Sequence, residues 1–405
     1  MAIVKPFKAL RPPAAEAGNV ACVPYDVVTD AEVRDITNAN PKSFLRVTRP
    51  EADLGTGLPD AAFAEARKLL DEFIADGLLV QDTEPAIYVY RLTDGRHQQT
   101  GIVACCAVDD YDNGVIKKHE KTRPDKVRDR TDHMLALQAQ TGLIFLAFRN
   151  TDEMRGLIEQ TVAGEHIYDF SDPKGVRQTV WQIAGGGEFM RAFEQIPAIY
   201  VADGHHRAES ASLARKELRD ANPDHTGKED YNFVMAGIFP AEDLAIMAYN
   251  RVVNDLNGLS EVEFLNRLRE SFIITETDER QPKERGNYAM YLGGRWYNLR
   301  YNVNYVRQPD ALHRLDVQVL QQTVLGPVLG IDDPRTNKRI HFVGGGRGID
   351  ELENLVADGG YAVAFSLFPT TMDDLFAVSD MDEIMPPKST WFEPKLKDGL
   401  FIHRI

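Results

Sequence analysis

This sequence of 405 residues has few cysteines, no long hydrophobic runs and no excess of positive charge. Its three cysteines, Cys22, Cys105 and Cys106, are too few for a disulfide framework, and such a composition is typical of a reducing compartment. The longest apolar runs, at 142–148 and 361–368, are far shorter than a membrane span. The opening MAIVKPFKALRPP has no apolar core of the kind found in signal peptides. We therefore expect a soluble cytoplasmic protein with no membrane partner.

The charge balance is acidic, with 62 Asp and Glu against 46 Lys and Arg and a net charge of −16. Because binding to a polyanion needs a basic surface, this balance argues against a nucleic-acid partner. Positive charge is nevertheless concentrated at 116–130, where seven Lys or Arg stand against three Asp or Glu. A local cluster of this kind can hold a small phosphorylated ligand.

Short apolar runs alternate with amphipathic helical stretches, which predicts an α/β (α+β) fold. The clearest helix covers 60–76, and 86–92 with 100–108 form a predicted hairpin. We also expect a short strand within 20–28 and an extended segment at 40–47. A change of character near 255–260 predicts a core of residues 1–255 followed by a C-terminal α/β domain of residues 256–405.

The segment IYVADGHHRAES (199–210) is the sharpest candidate site. A predicted strand ends at Asp203-Gly204 and a helix starts at once, so unpaired backbone N–H groups and the helix dipole favour an anion there. His205, His206 and Arg207 add three side-chain donors on the same turn, and Asp203 can orient a histidine or hold a divalent cation. The alternative is a helix cap whose histidines lie on a solvated surface.

The basic segment 116–130 is the second candidate. His119 and Glu120 precede a predicted helix and offer a general base, while Arg123 and Arg130 offer anion ligands. A solvated basic helix that balances the acidic remainder explains the same residues.

Loops near the two ends of the chain add further candidates. Tyr25, Asp26, Ser43 and Arg46 lie in or beside predicted early loops, whereas Lys388 and Ser389 follow a Pro-Pro pair. A Lys-Ser-Thr loop can bind an anion, although an ordinary surface turn has the same composition.

Several well-known sequence motifs are absent. The chain has neither the Gly-rich Lys-containing loop of P-loop NTPases nor a G-x-G-x-x-G dinucleotide fingerprint. It also lacks H-E-x-x-H, C-x-x-C and G-x-S-x-G, which disfavours a zinc hydrolase or a serine esterase.

Five segments in order, PYDVV, NPKSFLRV, the HE-x-T-R…DR block, ADGHHR and MPPKSTWFEPKLKDGL, resemble the family called Domain of Unknown Function 1015 (DUF1015). ADGHHR in turn resembles the phosphate-binding strand–turn–helix of the ParB and sulfiredoxin superfamily, which includes an archaeal free-serine kinase that uses ADP. The resemblance implies a ParB/sulfiredoxin-like core in which residues 20–80 meet ADGHHR. Residues of about 85–195 would then be a large insertion.

The resemblance and the two cationic segments lead to one main functional hypothesis, a phosphotransferase acting on a small hydroxyl metabolite, with free L-serine the first candidate. The donor would be ATP, ADP or another phosphoryl donor, with Mg²⁺ bridging its phosphates. The roles expected of the candidate residues are catalysis for Glu120, Asp26, His119 and Asp203; phosphate or nucleotide binding for Gly204, His205, His206, Arg207, Arg123, Arg130, Lys388 and Ser389; and substrate binding for Tyr25, Ser43 and Arg46.

Two alternatives stay open from the sequence. One is a phosphohydrolase of a small metabolite such as phosphoserine, and the other is a non-catalytic ParB-like nucleotide-binding protein. The metal ligands and the oligomeric state are also left open.

Overall fold

The computed structural model describes residues 2–54, 59–95, 97–302 and 310–405. The chain combines helices with strands, and the strands form several sheets, which confirms the predicted mixed α/β class. The helices are Ala17–Val20 (α1), Asp30–Ala39 (α2), Leu45–Thr48 (α3), Glu51–Leu54 (α4), Pro59–Ala75 (α5), Val108–Asp112 (α6), Pro124–Leu137 (α7), Asp152–Val162 (α8), Gly187–Phe193 (α9), His205–Ala221 (α10), Glu261–Leu268 (α11), Asp316–Leu320 (α12), Asp350–Ala357 (α13) and Met372–Asp380 (α14).

The strands are Val4–Lys5 (β1), Leu10–Arg11 (β2), Val80–Gln81 (β3), Ala86–Thr93 (β4), Gln98–Ala107 (β5), Ile116–Lys117 (β6), Ala139–Gln140 (β7), Ile144–Phe148 (β8), Tyr168–Ser171 (β9), Arg177–Ala184 (β10), Ile199–Asp203 (β11), Phe233–Pro240 (β12), Ala245–Met247 (β13), Tyr249–Val253 (β14), Phe272–Glu276 (β15), Asn287–Leu292 (β16), Arg295–Tyr301 (β17), Ile340–Gly344 (β18), Val363–Leu367 (β19), Trp391–Glu393 (β20) and His403–Arg404 (β21).

The chain divides into two compact units. The first comprises Met1–Lys118, Thr122–Leu244 and Pro394–Ile405, and the second comprises His119–Lys121 and Ala245–Glu393. The sequence alone suggests a boundary near 255–260, whereas the contacts divide the chain after Leu244 and return its last residues to the first unit. β13 and β20 pair with each other at the two ends of the second unit.

The first unit is built on a nine-stranded sheet in the order β6-β11-β8-β12-β5-β4-β10-β9, with β1 also paired to β5. The hairpin predicted from the sequence is confirmed as the antiparallel pair β4–β5. β8 is buried at every position because it lies inside the sheet between β11 and β12, and its continuous apolar run is typical of such a strand. The stretch 85–195, implied above to be an insertion, supplies β4 to β10 and α6 to α9.

Helix α10 packs against α7 and against the sheet through small side chains. Ala208, Ala211 and Ala214 are buried in the same apolar cluster as β8, β11 and β12. A second cluster in this unit buries α3 beneath α5.

Two local predictions for the early segments are wrong. Residues 20–28 do not form a regular strand: α1 ends at Val20, and Cys22 makes only an isolated bridge to Asp398. Residues 40–47 are not extended, because α3 starts at Leu45 and buries its apolar side chains under α5. In both cases tertiary burial outweighed the local β propensity of valine and phenylalanine.

The second unit contains an antiparallel six-stranded sheet in the order β15-β17-β16-β19-β14-β18. Its core includes Val252, Trp296, Val343 and Leu352. In this unit, α12 is followed directly by a π-helical turn, Gln321–Leu325. In the described ranges of both units, no helix combines the length and the hydropathy that a bilayer crossing needs.

Candidate functional site

The strand–turn–helix predicted at ADGHHR is confirmed in the first unit. β11 ends at Asp203, and Gly204, with φ of +91°, makes the left-handed turn from which α10 starts. Oδ1 of Asp203 accepts the N–H of Gly204 at 2.7 Å, while Oδ2 accepts the ammonium of Lys395 at 2.7 Å. The Asp203 carboxylate therefore ties the turn to the C-terminal segment.

The two histidines of this turn have different surroundings. His205 is buried, with 5% of its surface exposed. His206 is half-buried, and its Nε2 accepts the backbone N–H of Arg123 at 3.1 Å. Because Nε2 acts as an acceptor, the neutral ring of His206 carries its proton on Nδ1 and can donate from there.

Arg207 turns back over the start of its own helix. Its Nη1 donates to the carbonyl of Leu143, and a Cβ atom built on Gly204 would lie 3.2 Å from its Nε. That Nε is buried and has no hydrogen-bond partner among the residues the structure describes. Since buried N–H groups in proteins are almost always paired, the side chain is suited to an acceptor brought by a ligand.

A small pocket in the first unit gathers residues from distant parts of the chain. Its walls include Tyr25, Arg130, His133, Arg207 and Asp398. Its cavity volume is about 30 Å³, enough for one or two water-sized groups. Three of the predicted site residues, Tyr25, Arg130 and Arg207, are thereby brought together.

Asp398, which the sequence did not single out, lies in the wall of this pocket with 2% of its surface exposed. Its backbone pairs with that of Cys22 in both directions, and its carboxylate accepts the backbone N–H of Tyr25. Burial raises the pKa of Asp398 to about 7, with Asp26 adding to the rise and Arg207 opposing it.

Gly142 lets Asp398 and Arg207 approach the same side of the pocket. A Cβ atom built on Gly142 would lie 2.7 Å from Oδ1 of Asp398 and 3.3 Å from Nη1 of Arg207. A larger residue at this position would therefore force one of the two charged groups to move.

The two arginines of the pocket are held in different ways. Burial lowers the pKa of Arg207, but the nearby carboxylates of Asp26, Asp398 and Asp203 outweigh it and the net pKa is raised. The guanidinium of Arg130 lies 4.5 Å from the ring centroid of Tyr25 and pairs with Asp129. Both guanidinium groups thus belong to the wall of one cavity.

His133 is a neutral member of the pocket wall. Its Nε2 lies 3.0 Å from the carbonyl of Val47, and burial lowers its pKa to about 3, with Arg130 contributing. At neutral pH the ring therefore donates from Nε2 to Val47 and keeps Nδ1 as an acceptor.

The other predicted residues of the first unit lie outside the pocket wall. Ser43 is buried, and its hydroxyl accepts the N–H of Leu45 at 3.4 Å. Arg46 donates to the carbonyl of Pro41 at 3.3 Å, and Arg123 is exposed and pairs with Asp125. Asp26 is exposed next to Tyr25. The roles assigned to these residues remain predictions.

The remaining predicted residues belong to the second unit. The carbonyl of His119, a buried residue, accepts the N–H of Met385 at 2.9 Å, and Glu120 lines an open groove with a volume of about 450 Å³. Lys388 has φ of +57°, and the hydroxyl of Ser389 donates to the carbonyl of Pro386 at 2.7 Å. Their proposed parts in catalysis and phosphate binding also remain predictions.

The residues that sequence reasoning missed share one property, which is that their role depends on a distant partner. Asp398, Lys395 and Gly142 have no local pattern that marks a site. The only signal was indirect: Lys395 and Asp398 fall in the KLKDGL segment that carries part of the family resemblance.

Comparison with known proteins supports the family assignment. A family model described as "Protein of unknown function (DUF1015)" matches residues 4–318. None of the curated proteins compared matches the chain.

Three solved structures show a partial likeness of fold. SbnI from Staphylococcus aureus with a C-terminal truncation is 13% identical, with 73% of this chain and 85% of that chain covered and a TM-score of 0.39. A free serine kinase in complex with AMP is 13% identical, with 72% and 86% covered and a TM-score of 0.36. A conserved hypothetical protein from Pyrococcus furiosus is 12% identical, with 74% and 93% covered and a TM-score of 0.35. On the family-model match, which spans most of its length, this chain belongs to the DUF1015 family.

Proposed function

We propose that the first unit binds a phosphorylated nucleotide at the turn between β11 and α10 and transfers a phosphoryl group to the hydroxyl of a small metabolite. Free L-serine is the first acceptor to test. The observation that carries the proposal is that Arg207 and Arg130 both line one cavity. The buried Nε of Arg207 has no hydrogen-bond partner in the described part of the chain.

The donor side of the proposed site is the start of α10. This helix has 17 residues, and its first amides and its dipole favour the negative charge of a phosphate. Arg207 adds a charge-assisted donor at the same point. Phosphoryl transfer depends mainly on positioning and on neutralising charge, and these groups are suited to both tasks.

The acceptor side is the cavity beside Asp398. A volume of about 30 Å³ admits a hydroxymethyl group or a water molecule but not a nucleotide. The size of the cavity therefore supports a small acceptor whose reactive end enters the pocket while the donor stays at the helix terminus.

Magnesium fits this arrangement through one protein ligand and the donor phosphates. Mg²⁺ in such sites takes one or two carboxylates plus phosphate oxygens. Both oxygens of Asp203 already accept hydrogen bonds from Gly204 and Lys395, so the exposed carboxylate of Asp26 is the better ligand. When bound, the ion would neutralise phosphate charge.

A phosphohydrolase is the second candidate, and one observation favours it: the cavity has the volume of one or two water molecules. In that case water would replace the metabolite hydroxyl, and phosphoserine would be a suitable substrate. The same unit would carry out both reactions, so the two are separated by products rather than by structure.

The test is a product assay with purified full-length protein and Mg²⁺. ATP, ADP and pyrophosphate are each supplied with L-serine, and phosphoserine and free phosphate are measured separately. We expect phosphoserine with at least one donor, whereas release of phosphate from phosphoserine without nucleotide would favour the hydrolase. If no combination of donor and substrate yields phosphoserine or free phosphate, both proposed activities are refuted.

Arg207→Ala supplies the test of the site itself, with Arg219→Ala in the last turn of the same helix as the matched control. Arg219 is exposed and pairs only locally with Asp220 among the described residues. Loss of one charge-assisted contact should cost about 1.5–3 kcal/mol of nucleotide binding. Calorimetric titration with ADP should show this loss for Arg207→Ala and wild-type affinity for Arg219→Ala.

A further inference from the structure

We propose that Asp398 is the group that takes the proton from the acceptor hydroxyl in the pocket of the first unit. The inference rests on the proposed phosphoryl transfer and goes beyond it by naming a catalytic base that sequence motifs do not mark.

The position of Asp398 is fixed from both sides. Its N–H and its carbonyl each pair with the backbone of Cys22, at 3.0 Å in both cases. The next residue, Gly399, has φ of +83°, and a Cβ atom there would lie 2.7 Å from the side chain of Phe44. A carboxylate anchored in this way loses little entropy when it meets a substrate, which is what a catalytic group requires.

Asp398 is the only carboxylate among the described residues that line the cavity. The competing acids of this unit are less suited to the task. Asp203 already accepts hydrogen bonds from Gly204 and from the ammonium of Lys395. Asp26 is exposed to solvent, and Asp129 pairs with Arg130. A hydroxyl that enters the cavity therefore meets one carboxylate.

Charged and titratable groups surround this carboxylate on several elements. They are Arg207 on α10, Arg130 and His133 on α7, Tyr25 and Asp26 in the loop before α2, Cys22 in the bridged segment, and Tyr90 on β4, whose pKa burial raises. His133 stays neutral because its pKa is low, and burial raises the pKa of Cys22 and of Tyr25, so neither ionises near neutrality. The pKa of Asp398, about 7, lies where a general base works best at neutral pH.

The reaction step balances with the donor named above. The oxygen of the acceptor hydroxyl forms a bond to the terminal phosphorus of the nucleotide, and its proton moves to the carboxylate of Asp398. The bond from that phosphorus to the bridging oxygen breaks, and its electron pair stays on the nucleotide, one phosphate shorter. Asp398 then releases the proton to water.

The deciding experiment compares wild type, Asp398→Asn and Asp220→Asn by steady-state kinetics as a function of pH. The amide oxygen of the first variant can still accept the N–H of Tyr25, so the fold should survive, which thermal denaturation checks. Asp220 is an exposed residue on α10 whose side chain is 60% accessible, which makes it the matched control.

We expect Asp398→Asn to lower kcat about 10²- to 10⁴-fold, to leave KM for the donor within a small factor, and to lose the decline in rate below pH 7. Asp220→Asn should behave as wild type. If wild type turns over but Asp398→Asn keeps its rate and its pH profile, the base assignment is wrong while the phosphotransferase proposal stands.

If wild type itself forms no product with any donor, the proposed function fails and the role of Asp398 falls with it. A second readout, independent of activity, compares wild type with the variant once thermal denaturation has shown that the variant is folded. The protonated carboxyl band in an infrared difference spectrum, wild type minus Asp398→Asn, should titrate near pH 7. Titration below pH 5 would contradict the burial of this carboxyl group in the pocket, on which its selection as the base depends.

Discussion

Arg207 and Asp398 place opposite charges on the wall of one narrow cavity, and each depends on neighbours far away in the chain. Arg207 keeps its charge because three carboxylates surround it, whereas burial raises the pKa of Asp398 towards neutrality. The different outcomes have one cause: in a low-dielectric site, the balance between desolvation and nearby charge decides which form of a group persists. A cationic donor and a proton acceptor can thus be present together at pH 7.

Gly142→Ala should disturb this pair. A Cβ atom there would lie 2.7 Å from Oδ1 of Asp398, so the carboxylate must move, and overpacking of this kind costs about 1–3 kcal/mol. We expect lower stability in urea denaturation together with a fall in turnover.

Gly156→Ala is the control for that substitution. Gly156 lies within α8 and has no atom within 4 Å of the added carbon, so alanine should leave stability unchanged or raise it by about 0.5–1 kcal/mol. Equal behaviour of the two variants would contradict the close approach at Gly142.

His133 predicts a pH dependence of stability with a defined sign. Its pKa is about 3 in the folded protein and 6.5 ordinarily. The unfolded chain therefore binds a proton that the folded protein does not between pH 6.5 and 3, and stability from this residue falls as pH decreases through that window. Asp398 acts in the opposite direction below pH 7, because its pKa is raised.

His133→Gln isolates the contribution of the histidine to the pH dependence of stability. The glutamine amide can still donate to the carbonyl of Val47, and the contribution of Asp398 is the same in wild type and variant. On going from pH 7.5 to 5.5, wild type should lose about 1 kcal/mol more than the variant. Urea denaturation at the two pH values measures the difference. Parallel losses would show that the pKa of His133 is the same in the folded and unfolded states.

At the scale of elements, the start of α10 is the feature on which the site depends. Helix α7 lies against it, and the small residues of α10 allow close packing on the sheet. The turn at Gly204 sets the direction of the first helical amides. Glycine is needed there for a backbone reason, its positive φ, and for a spatial reason, the nearby guanidinium of Arg207.

Gly204→Ala separates these two reasons when it is compared with Gly77→Ala. Both glycines have positive φ, +91° and +71°, but only the Cβ at 204 would meet another group within 4 Å, the Arg207 guanidinium. Each variant should lose roughly 1–2 kcal/mol of stability. Only Gly204→Ala should also weaken binding of ADP in calorimetric titration, and an equal loss of affinity in both would refute a local role for the turn.

The predictions from sequence patterns that were most clearly confirmed also concern individual helices and strands. The amphipathic stripe of α5, the β4–β5 hairpin and the strand–turn–helix of β11 and α10 are confirmed, because their signals are local: periodicity, turn residues and glycine. The predictions of a strand within 20–28 and of an extended segment at 40–47 were wrong because the apolar residues there are also consistent with short helices and loops. Only packing under α5 selects between these.

At the scale of the whole molecule, the main segment of the second unit, Ala245–Glu393, is inserted into the first between Leu244 and Pro394, and His119–Lys121 complete the unit. Its ends are neighbours, since Ala245 and Glu393 are register partners in the β13–β20 pair. Cα atoms paired in this way are about 4.5–5.5 Å apart. A unit whose ends meet, and which has its own sheet and core, resembles an inserted domain.

The fragment Ala245–Glu393 should therefore fold without the rest of the chain. We expect a cooperative thermal transition by circular dichroism and dispersed amide signals in an NMR spectrum. Full-length protein is the reference, and a fragment without a cooperative transition would contradict the independence of this unit.

The sequence by itself determined the mixed α/β class, the family resemblance, the acidic charge balance and the position of the strand–turn–helix at ADGHHR. These properties depend on composition and on residues close together in the chain. Tertiary structure decided the pocket, because Tyr25, Arg130, Arg207 and Asp398 come from four distant segments. It also decided the chemistry of Asp398, since its pKa comes from burial and from charges that no local pattern places beside it.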